Sequence, residues 1–222
     1  MENTVLFSGE EFAKLKTDLV LYQCALNNMK TRVETLLNEF IHLKEYNPIE
    51  HVKSRLKSPE SIADKLHKRQ FALTAENART QLTDIAGIRC ICSYAKDIKT
   101  LAEVLTRQPD IKILKKRDYV TNPKKSGYRS YHLIIEVPIY LTDVTERLPV
   151  EVQIRTQAMD FWASLEHKVR YKFNDEMPDA ITRNLWECAE KIAELDKEMF
   201  QIQDVANLTR QTAMPRRETP PL

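Results

Sequence analysis

The sequence predicts a mixed α/β core framed by two long helices, and three observations carry that prediction. Residues 150–156 read Val-Glu-Val-Gln-Ile-Arg-Thr, so Val150, Val152 and Ile154 alternate strictly with Glu151, Gln153 and Arg155. Period-two alternation marks a half-buried strand. Between 84 and 156, short β-branched or aromatic segments surround one amphipathic stretch. Both ends of the chain carry apolar residues at steps of three and four, the spacing of a heptad seam.

The elements follow in order. Residues 8–44 read as one helix, with Ser8 and Glu11 as a capping box. Its seam is Phe12, Leu15, Leu19, Tyr22, Leu26, Met29, Val33, Leu36 and Phe40. Asn47-Pro48 breaks the pattern, and 58–70 is a second helix, with Ser58 as N-cap and Pro59 in the first turn. Residues 88–93 form a strand and 97–107 a short amphipathic helix. Strands follow at 111–120 and 128–139, then a connection over 140–149, then the strand at 150–156. A helix over 157–173 packs Phe161, Trp162 and Leu165 on the sheet. The last helix, 178–206, carries Leu185, Cys188, Ile192, Leu195, Met199 and Ile202. After Asn207 the tail holds Pro215, Pro220 and Pro221 without apolar period, which predicts disorder.

Composition narrows the function. With 42% hydrophobic and 30% charged residues the chain is a globular protein. A net charge of only +2 argues against a general nucleic-acid binder. Positive charge is clustered instead, at 53–69 and 112–129, which suits a compact anionic ligand. Cys24, Cys90, Cys92 and Cys188 make no C-x-x-C pair. No stretch can span a membrane and no signal-peptide pattern opens the chain, so a reducing cytoplasm is expected.

Candidate chemistry lies at strand starts. The chain has three glycines, and Gly87 and Gly127 each stand beside charge where a strand begins. Asp84 precedes one strand and Glu151 lies in another. Two carboxylates on adjacent strands can hold one Mg²⁺ and leave sites for phosphate oxygens. Taken singly, Asp84 reads as a turn cap and Glu151 as half of a lysine pair. Lys57, Ser61, Lys65 and Lys68 step by four, four and three, so they share a face that is either a polyphosphate cradle or a solvated stripe. Arg55 and Arg89 can stack on a base. Tyr128 can stack on a second base or fill the core. His167 has no zinc-type partner spacing and reads as a partly buried structural residue. There is no P-loop and no G-x-G-x-x-G.

Together, Arg55–Lys57, Asp84–Arg89, Gly127–His132, Glu151–Thr156 and Phe161–His167 resemble, in order and context, the synthetase domains of RelA/SpoT-type (p)ppGpp synthetases. The chain looks like a small alarmone synthetase. Its 47–55 segment and long first helix are most similar to the RelP-like subgroup, with the RelQ-like next. The resemblance covers about residues 45–205. It implies a nucleotidyltransferase-like fold and transfer of the β,γ-pyrophosphate of ATP to the 3′-hydroxyl of GDP or GTP, releasing AMP. Asp84 would ligate Mg²⁺, and Glu151 would be a second ligand or the base. Arg55 and Arg89 would sandwich adenine. Lys57, Ser61, Lys65 and Lys68 would hold the ATP phosphates. Tyr128 would stack on guanine, with Lys124, Gln153 and His167 on the acceptor side.

The expected organisation is a helix for oligomerisation at 1–44, the synthetase domain at 45–175, a packing or oligomerising helix at 176–206 and a tail at 207–222. The resemblance implies a homotetramer. A 37-residue helix of about 55 Å also outruns a small core and would leave apolar seam exposed. No histidine is followed by Asp, so the hydrolase motif of the long relatives is missing and synthesis without degradation is implied. Two features depart from those relatives. Ser126 stands where they often have Asn, and Lys115-Lys116-Arg117-Asp118 is basic where some are acidic. Competing readings are an AMP-transferring nucleotidyltransferase and a non-catalytic nucleotide- or RNA-binding module.

Overall fold

The computed structural model describes residues 7–44, 46–173 and 177–213. Among these residues, a five-stranded mixed sheet has the order β1-β2-β5-β4-β3. The strands are β1 (Ile49–Leu56), β2 (Ala86–Cys92), β3 (Lys112–Asp118), β4 (Tyr131–Tyr140) and β5 (Thr145–Thr156). The β2–β5 pair is parallel and the other three pairs are antiparallel. The helices are α1 (Gly9–Leu43), α2 (Pro59–Lys68), α3 (Ala75–Gln81), α4 (Ala95–Thr106), α5 (Gln157–Lys172) and α6 (Asp179–Ala213).

Strand alternation divides the sheet into two faces. Ile88, Val152 and Leu133 are paired neighbours and buried. They form one apolar cluster with Leu15, Tyr22, Leu26, Met29, Val33 and Leu36 of α1 and Ile98, Leu101 and Leu105 of α4. The seam of α1 is therefore consumed by the protein's own sheet, and it does not stand out into water as its length suggested. Ser8 caps α1 by accepting the Glu11 amide at 3.4 Å. Glu11 does not close the expected box; its carboxylate accepts the Ala75 amide at 2.7 Å and so ties α1 to the start of α3.

Several elements differ from expectation. The strand β1 was not legible because only Ile49 of its residues is buried. A polar edge strand has no hydrophobic alternation to read. The seven-residue α3 has too little periodicity to show. The expected connection at 140–149 is largely hairpin, since β5 begins at Thr145 and pairs back on Tyr140. Phe161 and Leu165 are exposed and do not pack on the sheet, while Trp162 packs with Ala189 of α6. The last helix continues to Ala213, so 207–213 is helical and not a disordered tail. Residues 214–222 lie outside the described residues.

Helix α6 braces the loop before β4. Gly127 has φ +88°, and a Cβ there would sit 2.5 Å from the Ala189 Cβ. Both the left-handed backbone and the close approach require glycine. Arg129 donates to Glu190 at 2.7 Å, and Trp162 Nε1 donates to the Leu185 carbonyl at 3.0 Å. Thr156 caps α5 through the Met159 amide and donates its own hydroxyl to the Asp196 carboxylate.

Candidate active site

The other face of the sheet is polar, and the register lines it in two rows. One runs Lys53, Arg89, Gln153, His132, Arg117 across all five strands. The next runs Arg55, Gly87, Glu151, Ile134, Lys115. Paired residues point to the same side of a sheet. One cavity of about 530 Å³ opens on this face, lined by Arg55, Lys57, Asp84, Arg89, Glu151 and Gln153 among others. A second, of about 350 Å³, is lined by Arg55, Arg89, Tyr128, Arg155, His167 and Lys168 with neighbouring α5 residues. The two cavities share the two guanidinium groups. A Cβ at Gly87 would meet nothing closer than 3.7 Å, so sterics do not demand glycine there. Its missing side chain keeps the floor of the first cavity open between Arg55 and Glu151.

Asp84 leads into β2 and lies in the first cavity. Its Oδ2 accepts from Lys57 at 2.6 Å and also from Lys65. Burial alone would raise its pKa, but these two ammonium groups outweigh it and hold the carboxyl below 3.8. Burial pushes the Lys57 pKa down despite that contact. Asp84 Oδ1 is buried without a hydrogen-bond partner. An orphaned carboxylate oxygen in a cavity walled by ammonium and guanidinium groups fits a hard cation held beside phosphate.

Glu151 sits in mid-sheet and is anchored on both oxygens. His132 Nδ1 lies 3.2 Å from Oε1, and Gln153 Nε2 donates to Oε2 at 2.8 Å. Burial raises its pKa, but His132 and Gln153 prevail and hold it below 4.5. The imidazole connects onward. Its Nε2 is 2.9 Å from the Tyr128 hydroxyl, to which Arg155 donates. With Nδ1–H facing the carboxylate, a chain runs Arg155, Tyr128, His132, Glu151. Arg155 is 4% exposed; it also donates to Ser130 at 3.2 Å, Gln153 at 2.8 Å and Asp160 at 3.1 Å.

The residues singled out from sequence separate into those the fold gathers and those it leaves aside. Arg55, Lys57, Asp84, Arg89, Glu151 and Gln153 converge in the first cavity. Tyr128 and His167 line the second, and His167 is exposed there rather than partly buried. Lys65 reaches the first site through Asp84. Lys57 precedes α2 and is not on its face, yet meets Lys65 on one oxygen. The Ser61 hydroxyl accepts from Ser58 at 3.1 Å at the helix start, and Lys68 lies outside both cavities. Lys124 stands 4.6 Å from the Tyr128 ring centre, covering an aromatic face. His132, Arg155 and Asp160 were not singled out. Their only sequence signal is position, His132 in the 127–132 block, Arg155 as the third polar residue of the alternating stretch 150–156 and Asp160 in the helix that follows.

Two cavities meeting at a pair of guanidinium groups, with carboxylates between cationic walls, define a nucleotide-handling site of a phosphotransfer type. Comparison with known proteins gives the family. Residues 54–176 match the family described as a region found in RelA / SpoT proteins. The chain is 45% identical over 187 residues to the GTP pyrophosphokinase YwaC of Bacillus subtilis, covering 84% of this chain and 89% of that one. It superposes on the crystal structure of small alarmone synthetase 2 from Bacillus subtilis with TM-score 0.77 and 44% identity, over 85% of this chain and 97% of that one. It also superposes on small alarmone synthetase 1 of that organism bound to its product pppGpp, with TM-score 0.79 and 33% identity, over 85% and 96%. The chain belongs to the RelA/SpoT family.

Proposed function

We propose that this protein is a (p)ppGpp synthetase, transferring the β,γ-pyrophosphate of ATP to the 3′-hydroxyl of GDP or GTP. The observation that carries the reading is the paired cavity, with Asp84 and Glu151 in one half and Tyr128 in the other, joined at Arg55 and Arg89. Both volumes fall in the ~300–1,000 Å³ range of small-molecule sites.

Arg55 and Arg89 hold adenine between planar cations. Lys57 and Lys65 exchange Asp84 for the ATP phosphates when nucleotide enters, with Ser61 and Lys68 beyond them on α2. Tyr128 stacks on guanine once Lys124 leaves its ring for the acceptor phosphates, and Gln153 and His167 complete that wall. The 3′-oxygen attacks the β-phosphorus, the bond from that phosphorus to the α,β-bridging oxygen breaks, and AMP leaves with that oxygen. Glu151 accepts the 3′-hydroxyl proton, and His132 behind it keeps the carboxylate aimed. Asp84 and Glu151 would hold Mg²⁺, which would neutralise charge on the transferring phosphates. The depressed pKa of Glu151 keeps it ionised for either duty. Catalysis of this type rests on positioning and charge, which these parts supply.

The same reading places the protein in the cytoplasm. No described helix is long and apolar enough to cross a membrane. It also makes the protein a homotetramer held through α6 rather than α1. Leu195, Met199, Ile202, Val205 and Leu208 of α6 are between 49% and 62% exposed, at steps of three and four. An apolar stripe of this kind marks an interface. Light scattering should give four times the chain mass; a fully active monomer at micromolar concentration would count against it.

The activity is tested by incubating the protein with Mg²⁺-ATP and GDP, GTP or GMP and separating the nucleotides. AMP should appear in step with a guanosine 3′-diphosphate. Pyrophosphate release with AMP attached to an acceptor would instead indicate AMP transfer, and no turnover would indicate a binding module.

A further inference from the structure

We propose that Asp160 is a positioning residue that couples the two nucleotide sites. Its Oδ1 accepts from Arg89 Nη1 at 3.0 Å and from Arg155 Nη1 at 3.1 Å. Its Oδ2 faces Lys53 at 3.8 Å. The Asp160 side chain is 10% exposed, so these contacts are made largely out of water.

The two guanidinium groups are placed differently in the cleft, since Arg155 lines the second cavity and not the first. Arg89 is on β2, lines both cavities and retains a buried Nε without a partner. Arg155 fixes the Tyr128 hydroxyl and the Gln153 amide. One carboxylate oxygen thus holds the donor-side cation and the anchor of the acceptor platform together. Asp160 lies in the first turn of α5, directly after β5, so strand and helix place it rigidly. The bridge is already made without ligand. A nucleotide that draws Arg89 toward its base must shift the oxygen that Arg89 shares with Arg155, and a second nucleotide finds that shift already made. Coupling between two sites is reciprocal, so each nucleotide tightens the other by the same factor. If Asp160 only balanced a buried arginine, its loss would weaken the fold or both sites without touching that factor.

This inference rests on the two-nucleotide reading, and calorimetry separates the two. The probe is α,β-methylene ATP with Mg²⁺, titrated with and without saturating GDP. In the parent protein GDP should tighten the analogue by about fivefold or more. In Asp160→Asn the ratio should fall to within about twofold of one, whatever happens to either affinity. Arg155→Lys keeps the charge but cannot fork to Ser130, Tyr128, Gln153 and Asp160 together, so it should lose the ratio too. It decides the matter if Asp160→Asn fails to fold. An unchanged ratio in the folded variants would overturn the role of Asp160. Independent binding in the parent would overturn coupling but leave two sites. Failure of the parent to bind either nucleotide would overturn both readings.

Discussion

On the side of the cleft proposed for ATP, the donor, charged groups meet each other in partial contact with water. Lys53 is 62% exposed, and Lys57 and Lys65 crowd a single oxygen of Asp84 while the other has no partner. On the side proposed for the acceptor, Arg155 is buried and tied to Ser130, Tyr128, Gln153 and Asp160, and Tyr128 leads through His132 to Glu151. The donor half is an arrangement of ions that a polyphosphate can rearrange. The acceptor half is a hydrogen-bonded frame set before any ligand arrives. A pyrophosphoryl group in transit needs charge that can follow it, whereas an attacking hydroxyl needs a fixed line of approach.

The largest break in this contrast should come at Glu151, where the halves meet. Glu151→Gln keeps the shape but removes the charge, so kcat should fall by ~10²–10⁴ with the melting temperature little changed. Turnover within a few-fold of the parent would end its role. Asp84→Asn should be of similar size, and its loss should track Mg²⁺ concentration; parental rate and metal dependence would make Asp84 a turn residue only. His132→Asn should cost about 10–100-fold in kcat with both KM values nearly unchanged, as for partners that aim a ligating carboxylate. A pure KM effect would place His132 on substrate instead. Tyr128→Ala should weaken GDP by ~1–3 kcal/mol while leaving ATP nearly unchanged, the scale of one base stacked on one aromatic ring. Equal losses for both nucleotides would mean that the ring serves the frame, not the base.

The smallest effect expected is with pH. Asp84 and Glu151 are held below their ordinary values of 3.8 and 4.5. Carboxylates depressed on folding stay charged at those pH values, and their contribution to stability is lost only as pH falls through the lower folded pKa. The acid limb of kcat should therefore lie below pH 4.5. A limb centred near pH 6 would show a different ionisation in control.

How far each half could be read in the sequence follows the same division. Donor residues announce themselves by charge, as Lys65, Asp84 and Arg89 do, and Lys57 does so although it precedes α2 rather than sharing its face. Tyr128, Lys124, Gln153 and His167 on the acceptor side are also legible in the sequence, but the residues that hold that side in place act through burial and register. The meeting of Arg155 with Asp160 depends on a strand-to-helix turn, and that of His132 with Glu151 on the pairing of β4 with β5. No local pattern encodes either. The two long helices teach a related lesson. α1 and α6 each have 35 residues and steps of three and four, yet α1 buries its seam on the sheet while the second half of α6 leaves its seam exposed. Spacing specifies an apolar face but not what covers it. The strand β1 escaped for the opposite reason, since nearly all its side chains are polar or half-exposed and yet it carries Lys53 and Arg55 into the site.

The fate of labelled phosphate tests the central claim most directly. ATP labelled at the γ-phosphate is incubated with GDP, Mg²⁺ and the protein, and the products are resolved by thin-layer chromatography. Transfer of the β,γ-pyrophosphate predicts that the label moves to a guanosine 3′,5′-bis(diphosphate) while unlabelled AMP accumulates in equal amount. Label released as inorganic pyrophosphate, with none on guanosine, would contradict it.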